Sequence, residues 1–220
     1  MPEDADLILN PNKTPLYRFA AALLTTLSWL LFRPRVRGAA NIPTSGPVLI
    51  APIHRSNVDF VFTLFISPRK VFFMAKQELF PVPILGTALR HVGAFPVARG
   101  TADRESLHLA EEVLRRGEAL ILFPEGTRRE GRHVDALRDG AMFVAARTGA
   151  SVVPVGIAGS DRAMPAGAKL PRFARVRVVV GEAIEPPAST GRIPRSQIAA
   201  KTEELRSRLE AVYHEALAWR

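Results

Sequence analysis

Apolar and polar positions change their period along this chain, and each change marks an element. From Phe19 to Phe32 no residue is charged. On a helical wheel Leu16, Phe19, Leu23, Leu27, Leu30 and Leu31 gather on one face, and Arg18, Thr25 and Ser28 fall on the other. This pattern predicts an amphipathic helix over 16–37, too short in its apolar run for the about 20 residues that cross a hydrocarbon core. After Gly38 short apolar runs take over: Val48-Leu49-Ile50, Val71 to Met74, Ala119 to Phe123, Val152 to Val155, and Val176 to Val180. They do not alternate with polar residues, so they predict strands buried on both faces.

Helical spacing separates these runs. Thr101 to Arg116 predicts a helix that stops at Gly117, and Leu137 to Thr148 another closed by Gly149. Leu205, Leu209, Val212 and Ala216 form one stripe on a last helix, after a linker containing Pro186, Pro187, Gly191 and Pro194. Strands separated by helices of this length predict an α/β fold: a mixed, largely parallel sheet covered by helices. The chain divides into a flexible leader (1–15), the amphipathic helix (16–37) and one domain (38–220).

Composition narrows the function. The chain has 220 residues and no cysteine, which excludes a disulfide framework, a thiolate zinc site and a cysteine nucleophile. The formal net charge of +9 favours polyanionic partners. Aromatic residues are only 7%, and no strand interleaves them with basic residues, so nucleic acid is not an expected partner. Arg33, Arg35 and Arg37 follow the amphipathic helix directly. An apolar face beside a basic cluster suits a helix lying in an anionic membrane surface; packing on the domain's own core is the alternative.

Four short motifs carry the candidate chemistry. In Ala51-Pro52-Ile53-His54-Arg55-Ser56-Asn57-Val58-Asp59 a strand ends and His54 precedes Asp59 by five residues. On one helix that spacing turns about 140°, so the two would not meet. With His54 in the loop and Asp59 in the first turn of the next helix, the carboxylate can hold one ring nitrogen and leave the other to take a proton. The alternative is a helix-start carboxylate beside a surface histidine. Phe123-Pro124-Glu125-Gly126-Thr127-Arg128 begins where a strand ends, the place where α/β sheets bind ligands. Gly126 allows a close backbone approach, Arg128 can grip a phosphate, and Glu125 can orient an arginine. Gly93 to Arg99 offers a second phosphate-binding arginine, Arg99, and Val153-Pro154-Val155 a pocket wall. His91, His108, His133 and His214 have no motif partner. No G-x-S-x-G elbow and no H-E-x-x-H metal motif occurs.

In order and spacing these four blocks resemble the glycerolipid acyltransferase family, whose members include the 1-acyl-glycerol-3-phosphate acyltransferases. His54 and Asp59 match its H-x-x-x-x-D motif; Gly93, Phe95 and Arg99 match the second block; Phe123 to Arg128 match F-P-E-G-T-R in full; Val153 to Val155 match V-P-V. The resemblance spans roughly 54–180. Lys76 stands where many relatives carry a lysine before Glu-Leu, whereas Leu137 and Arg138 stand where members often carry phenylalanine and lysine. The resemblance implies acyl transfer from acyl-coenzyme A or acyl carrier protein to a hydroxyl of lysophosphatidic acid, giving phosphatidic acid. His54 and Asp59 would be catalytic, and Lys76, Arg99, Glu125, Gly126, Thr127 and Arg128 would serve the acceptor phosphate. No cofactor and no metal are expected, and the amphipathic helix with its arginines leads to an expected peripheral position on the cytoplasmic face of the membrane. A related acyltransferase for glycerol 3-phosphate or another lysolipid, or a non-catalytic module binding anionic membranes, are the alternatives.

Overall fold

The computed structural model describes residues 28–64, 69–82, 93–97, 104–168, 170–187 and 193–219, with Thr26, Ile66, Ser67, Gly86 and Leu89 between them. Seven strands form one sheet: β1 (Arg35–Arg37), β2 (Val48–Pro52), β3 (Val71–Lys76), β4 (Ala94–Val97), β5 (Ala119–Ile121), β6 (Ser151–Ala158) and β7 (Arg177–Val180). Their spatial order is β1-β7-β6-β2-β5-β3-β4, and every neighbouring pair is parallel except β6 with β7. The helices are α1 (Asp59–Leu64), α2 (Arg104–Arg115), α3 (Gly140–Thr148), a short α4 (Ser160–Ala163) and α5 (Arg195–Ala218). The expected mixed, largely parallel sheet covered by helices is the one observed.

Central strands carry unbroken apolar runs because helices cover both faces. In β2, Val48 and Ile50 enter one core layer with Phe62 of α1, while Leu49 and Ala51 enter the other with Val113 and Met142 of α2 and α3. Helix α5 serves both layers: Ile198 and Leu205 pack in one, Leu209, Tyr213 and Ala216 in the other. Its buried stripe therefore passes through Tyr213, where the spacing alone suggested Val212.

Four expectations need correction. The helix expected over 16–37 ends at Phe32, and Arg35–Arg37 is instead the edge strand β1, paired with β7. Pro34 has no N–H to continue a helix, and Arg33 already has φ 40°. The sheet thus begins ahead of residue 38. Around the helix end, Ser28 is buried while Trp29 and Leu30 are exposed, against the wheel's assignment of Ser28 and Leu30. Phe32 anchors this turn edge-to-face on Phe62 with ring centroids 5.3 Å apart, and Ser28 lies one turn back on the same side. The rest of the expected helix and the leader lie outside the described residues. The helix expected from Leu137 starts at Gly140, because Arg138 N–H donates to the Pro124 carbonyl (2.9 Å) and keeps that stretch beside the 123–128 turn. Finally, β5 stops at Ile121; Leu122 N–H still reaches the Ile50 carbonyl at 3.0 Å before the chain turns.

Because β2, β3, β4, β5 and β6 run the same way, their carboxyl ends share one edge of the sheet. The His54 loop leaves β2 there, the 123–128 turn leaves β5, Lys76 ends β3, and β4 ends two residues before Arg99. This is where open α/β sheets place their ligands.

Candidate active site

His54 sits in the loop after β2 and Asp59 is the first residue of α1. Across that break the two meet: His54 Nδ1 lies 3.0 Å from Asp59 Oδ2. The same oxygen accepts the backbone N–H groups of Arg55 and Ser56, both at 2.6 Å. The Asp59 side chain is fully buried, whereas that of His54 is 20% exposed. Asp59 is thereby fixed by two amides of the loop it closes, and it fixes the histidine ring in turn. The ring also stacks on Phe123, centroids 4.1 Å apart. With Nδ1 committed to the carboxylate, Nε2 is the nitrogen left to exchange a proton.

The 123–128 turn is tied to this loop from below. Glu125, 1% exposed, accepts the His54 backbone N–H through Oε2 at 2.8 Å. Both its oxygens also accept from Arg55 Nη1 at 2.8 Å. Arg55 then spends its remaining donors on carbonyls: Nε on Gly131 (3.2 Å) and Nη2 on His133 (2.7 Å). Arg129 N–H returns to the His54 carbonyl at 2.9 Å. Two strand-end loops far apart in sequence are thus stitched into one unit, with a buried ion pair at its centre.

The resemblance implies that Glu125 and Thr127 order Arg99 and Arg128 for the acceptor phosphate. In the structure Glu125 is buried and holds Arg55, while Arg128 and Thr127 are exposed. Gly126 adopts φ 71°, and a Cβ there would come within 2.6 Å of Arg138 Nε. Arg138, at the position where relatives often carry lysine, therefore lies directly on this turn. Lys76 closes β3 opposite Val97 of β4. Arg99 lies outside the described residues. Val153-Pro154-Val155 runs beside β2 in register with Ile50, Ala51 and Pro52, fully inside the core.

Arg55 is the member that the motif reading passed over. Its signal was indirect: Glu125 follows an apolar strand end and needs a cation, and Arg55 stands next to the motif histidine. His133 and His214, which lacked partners in sequence, meet Glu210 here. Ligand-type atoms of these three lie within 4.8 Å of one another. His133 Nδ1 is 3.1 Å from Glu210 Oε1, and Arg206 donates to Oε2 at 3.2 Å. Hydrogen bonding from His133 holds the Glu210 carboxyl below its ordinary range. The group pins the 131–133 loop, whose carbonyls Arg55 uses, to α5.

A family model described as Acyltransferase matches residues 33–158. The 1-acyl-sn-glycerol-3-phosphate acyltransferase of Bacillus subtilis is 30% identical over 198 residues, covering 89% of this chain and 96% of that protein. The chloroplastic 1-acyl-sn-glycerol-3-phosphate acyltransferase of Arabidopsis thaliana is 30% identical across 81% of this chain. The chain spans only 51% of that relative's length. Among solved structures, the 1-acyl-sn-glycerophosphate acyltransferase of Thermotoga maritima superposes with a TM-score of 0.73 at 25% identity, covering 93% of this chain and 80% of that one.

Proposed function

This chain belongs to the acyltransferase family, and from that premise we propose that it moves a fatty acyl group from a thioester donor to the free hydroxyl of lysophosphatidic acid, giving phosphatidic acid. The observation that carries the reading is the His54–Asp59 pair, 3.0 Å apart with the carboxylate fully buried. In this scheme Nε2 of His54 takes the proton of the acceptor hydroxyl as its oxygen attacks the thioester carbonyl. Asp59 stabilises the imidazolium that forms. The tetrahedral intermediate collapses, the carbon–sulfur bond breaks, and the thiolate leaves with the proton from His54. No acyl-enzyme and no metal or cofactor enters the scheme.

Lys76, Arg99, Gly126, Thr127 and Arg128 serve the acceptor phosphate in this reading, which places the hydroxyl against His54. Its support is the shared sheet edge: Lys76 and Val97 are register partners there, and Arg128 is exposed on the turn that Glu125 anchors. Acyl-coenzyme A and acyl carrier protein both fit as donors. The work is done at the cytoplasmic face of a membrane by a peripherally bound protein. Support comes from the net charge of +9 and from exposed apolar side chains at Trp29, Leu30, Leu170 and Phe173. Among the described residues no helix is long and apolar enough to cross a membrane.

The test is an acceptor and donor panel. Lysophosphatidic acid, glycerol 3-phosphate and a neutral lysolipid are each offered with acyl-coenzyme A or acyl carrier protein, and thiol release and acylated product are followed. Faster turnover of lysophosphatidic acid is expected; preference for an acceptor without phosphate would refute the assignment.

A further inference from the structure

One strongly basic element has no role in the chemistry above. Arg177 opens β7 and is only 8% exposed. Its Nε is buried with no hydrogen-bond partner among the described residues, and Nη1 reaches only the Val176 carbonyl at 3.2 Å. Arg35 lies directly opposite it in the β1–β7 register. Like charges opposite each other across a ladder oppose pairing, and burial then Arg35 and Arg175 push the Arg177 pKa below its ordinary value. A buried cation normally has a carboxylate; among the described residues none pairs with Arg177. The Trp219 ring, 5.7 Å from the guanidinium carbon, offers the cation a π face but no negative charge, which an anion supplied from outside would bring.

The space around it fits that reading. Arg177 lines an open groove with Arg33, Arg132, Arg162 and Arg175, against a single acid, Asp161. The groove's apolar rim continues onto the surface. Leu31 and Phe173 line it, and Ala174 N–H donates to the Leu31 carbonyl at 3.2 Å, joining the 170–176 segment to the helix end that carries Trp29 and Leu30. Phe173 is 82% exposed and Leu170 78%. Large apolar side chains beside arginines that make no salt bridge among the described residues are the pattern of a surface that enters the headgroup region of an anionic bilayer. The groove is also on the catalytic side: Arg177 faces Ala158 at the carboxyl end of β6, the sheet edge from which the His54 loop emerges.

We propose that this groove seats the phosphate of an anionic phospholipid in the bilayer, with Arg177 as its buried donor, Arg33, Arg162 and Arg175 around it, and Phe173, Leu170, Trp29 and Leu30 dipping into the interface. Docking there turns the His54 edge of the sheet toward the membrane that holds the acceptor. None of the residues lining the groove is one of the acceptor-phosphate residues of the reaction; the proposal rests on the proposed function only in taking a membrane as the place of work.

The test is vesicle binding of the full chain, run in parallel with His54→Ala so that the result does not depend on catalysis. Vesicles of phosphatidylcholine alone are compared with vesicles containing phosphatidylglycerol. Arg175→Gln, an exposed change that spares the core, is expected to weaken binding to the anionic vesicles by about fivefold, with little effect on neutral ones. Arg177→Gln is expected to weaken it at least as much, and Phe173→Ser to weaken binding to both kinds. Inorganic phosphate, at the concentration of the lipid phosphate, is expected not to displace the protein. Unchanged anionic binding by Arg175→Gln and by folded Arg177→Gln would overturn the proposal. Displacement by inorganic phosphate would overturn the lipid as occupant and assign the groove to a soluble phosphate.

Discussion

Removing the Glu125 carboxylate should damage the fold and the site together. In Glu125→Ala, Arg55 loses both 2.8 Å contacts to the carboxylate, and the His54 backbone N–H loses its acceptor. The two side chains are 3% and 0% exposed, so water cannot easily take the missing place. Breaking a buried pair from one side costs about 3–5 kcal/mol. Arg55 keeps carbonyls of His54, Gly131 and His133 as acceptors, which puts the expected loss near the lower bound, about 3 kcal/mol. With a urea slope of about 2 kcal/mol/M the unfolding midpoint should fall by about 1.5 M. Arg55→Met should cost a similar amount, since it strands the carboxylate instead. The double variant removes both charges and should lose about as much as either single one, a coupling of about 2–3 kcal/mol. Unfolding curves for the four proteins complete the cycle. Additive losses would refute the claim that this pair acts as one buried unit joining the two loops.

Other changes probe separate parts of the account. Asp59→Asn should lower kcat by about 10²–10⁴-fold with a smaller change in acceptor KM, measured at saturating donor; a matching rise in KM with kcat intact would mean that Asp59 serves binding instead. Lys70, its Nζ buried over the Phe72 ring at 4.1 Å with no hydrogen-bond partner among the described residues, has its pKa lowered from 10.5 to about 8, chiefly by burial and against the pull of Glu118. The unfolded chain therefore binds the extra proton between about pH 8 and 10.5, so stability should rise with pH across that window. Lys70→Met should flatten the rise and stabilise the protein at neutral pH, as urea titrations at several pH values would show. A Cβ on Gly156 would lie 2.4 Å from the Val212 backbone carbonyl, so Gly156→Ala should force α5 off β6 at a cost of about 1–3 kcal/mol, read as a lower thermal midpoint.

The layout of the sheet was largely visible in sequence because it rests on local signals. Continuous runs such as Val48-Leu49-Ile50 could only be strands covered on both faces, and Gly117 and Gly149 stopped two of the helices where expected. His54 and Asp59 could be paired in advance because the loop-then-helix context was readable from Pro52 onward. What escaped depends on which strands are neighbours. The Arg55–Glu125 pair exists because β5 lies beside β2, a fact no periodicity encodes, so the arginine that Glu125 holds was not readable from its own motif. Strand β1 is three residues with two arginines. It reads as a basic tail after a helix and becomes a strand only because β7 offers an edge. Arg177 was hidden for the same reason, as the second residue of the apolar run from Val176 to Val180.

The central claim is that His54 is the base of an acyl transfer to a phosphate-bearing lipid hydroxyl. The most direct measurement follows diacyl product and free thiol from lysophosphatidic acid and a long-chain acyl thioester, for the parent protein and for His54→Ala with matched circular dichroism. The account predicts product from the parent and loss of nearly all turnover in the folded variant. Near-normal product formation by His54→Ala would contradict it.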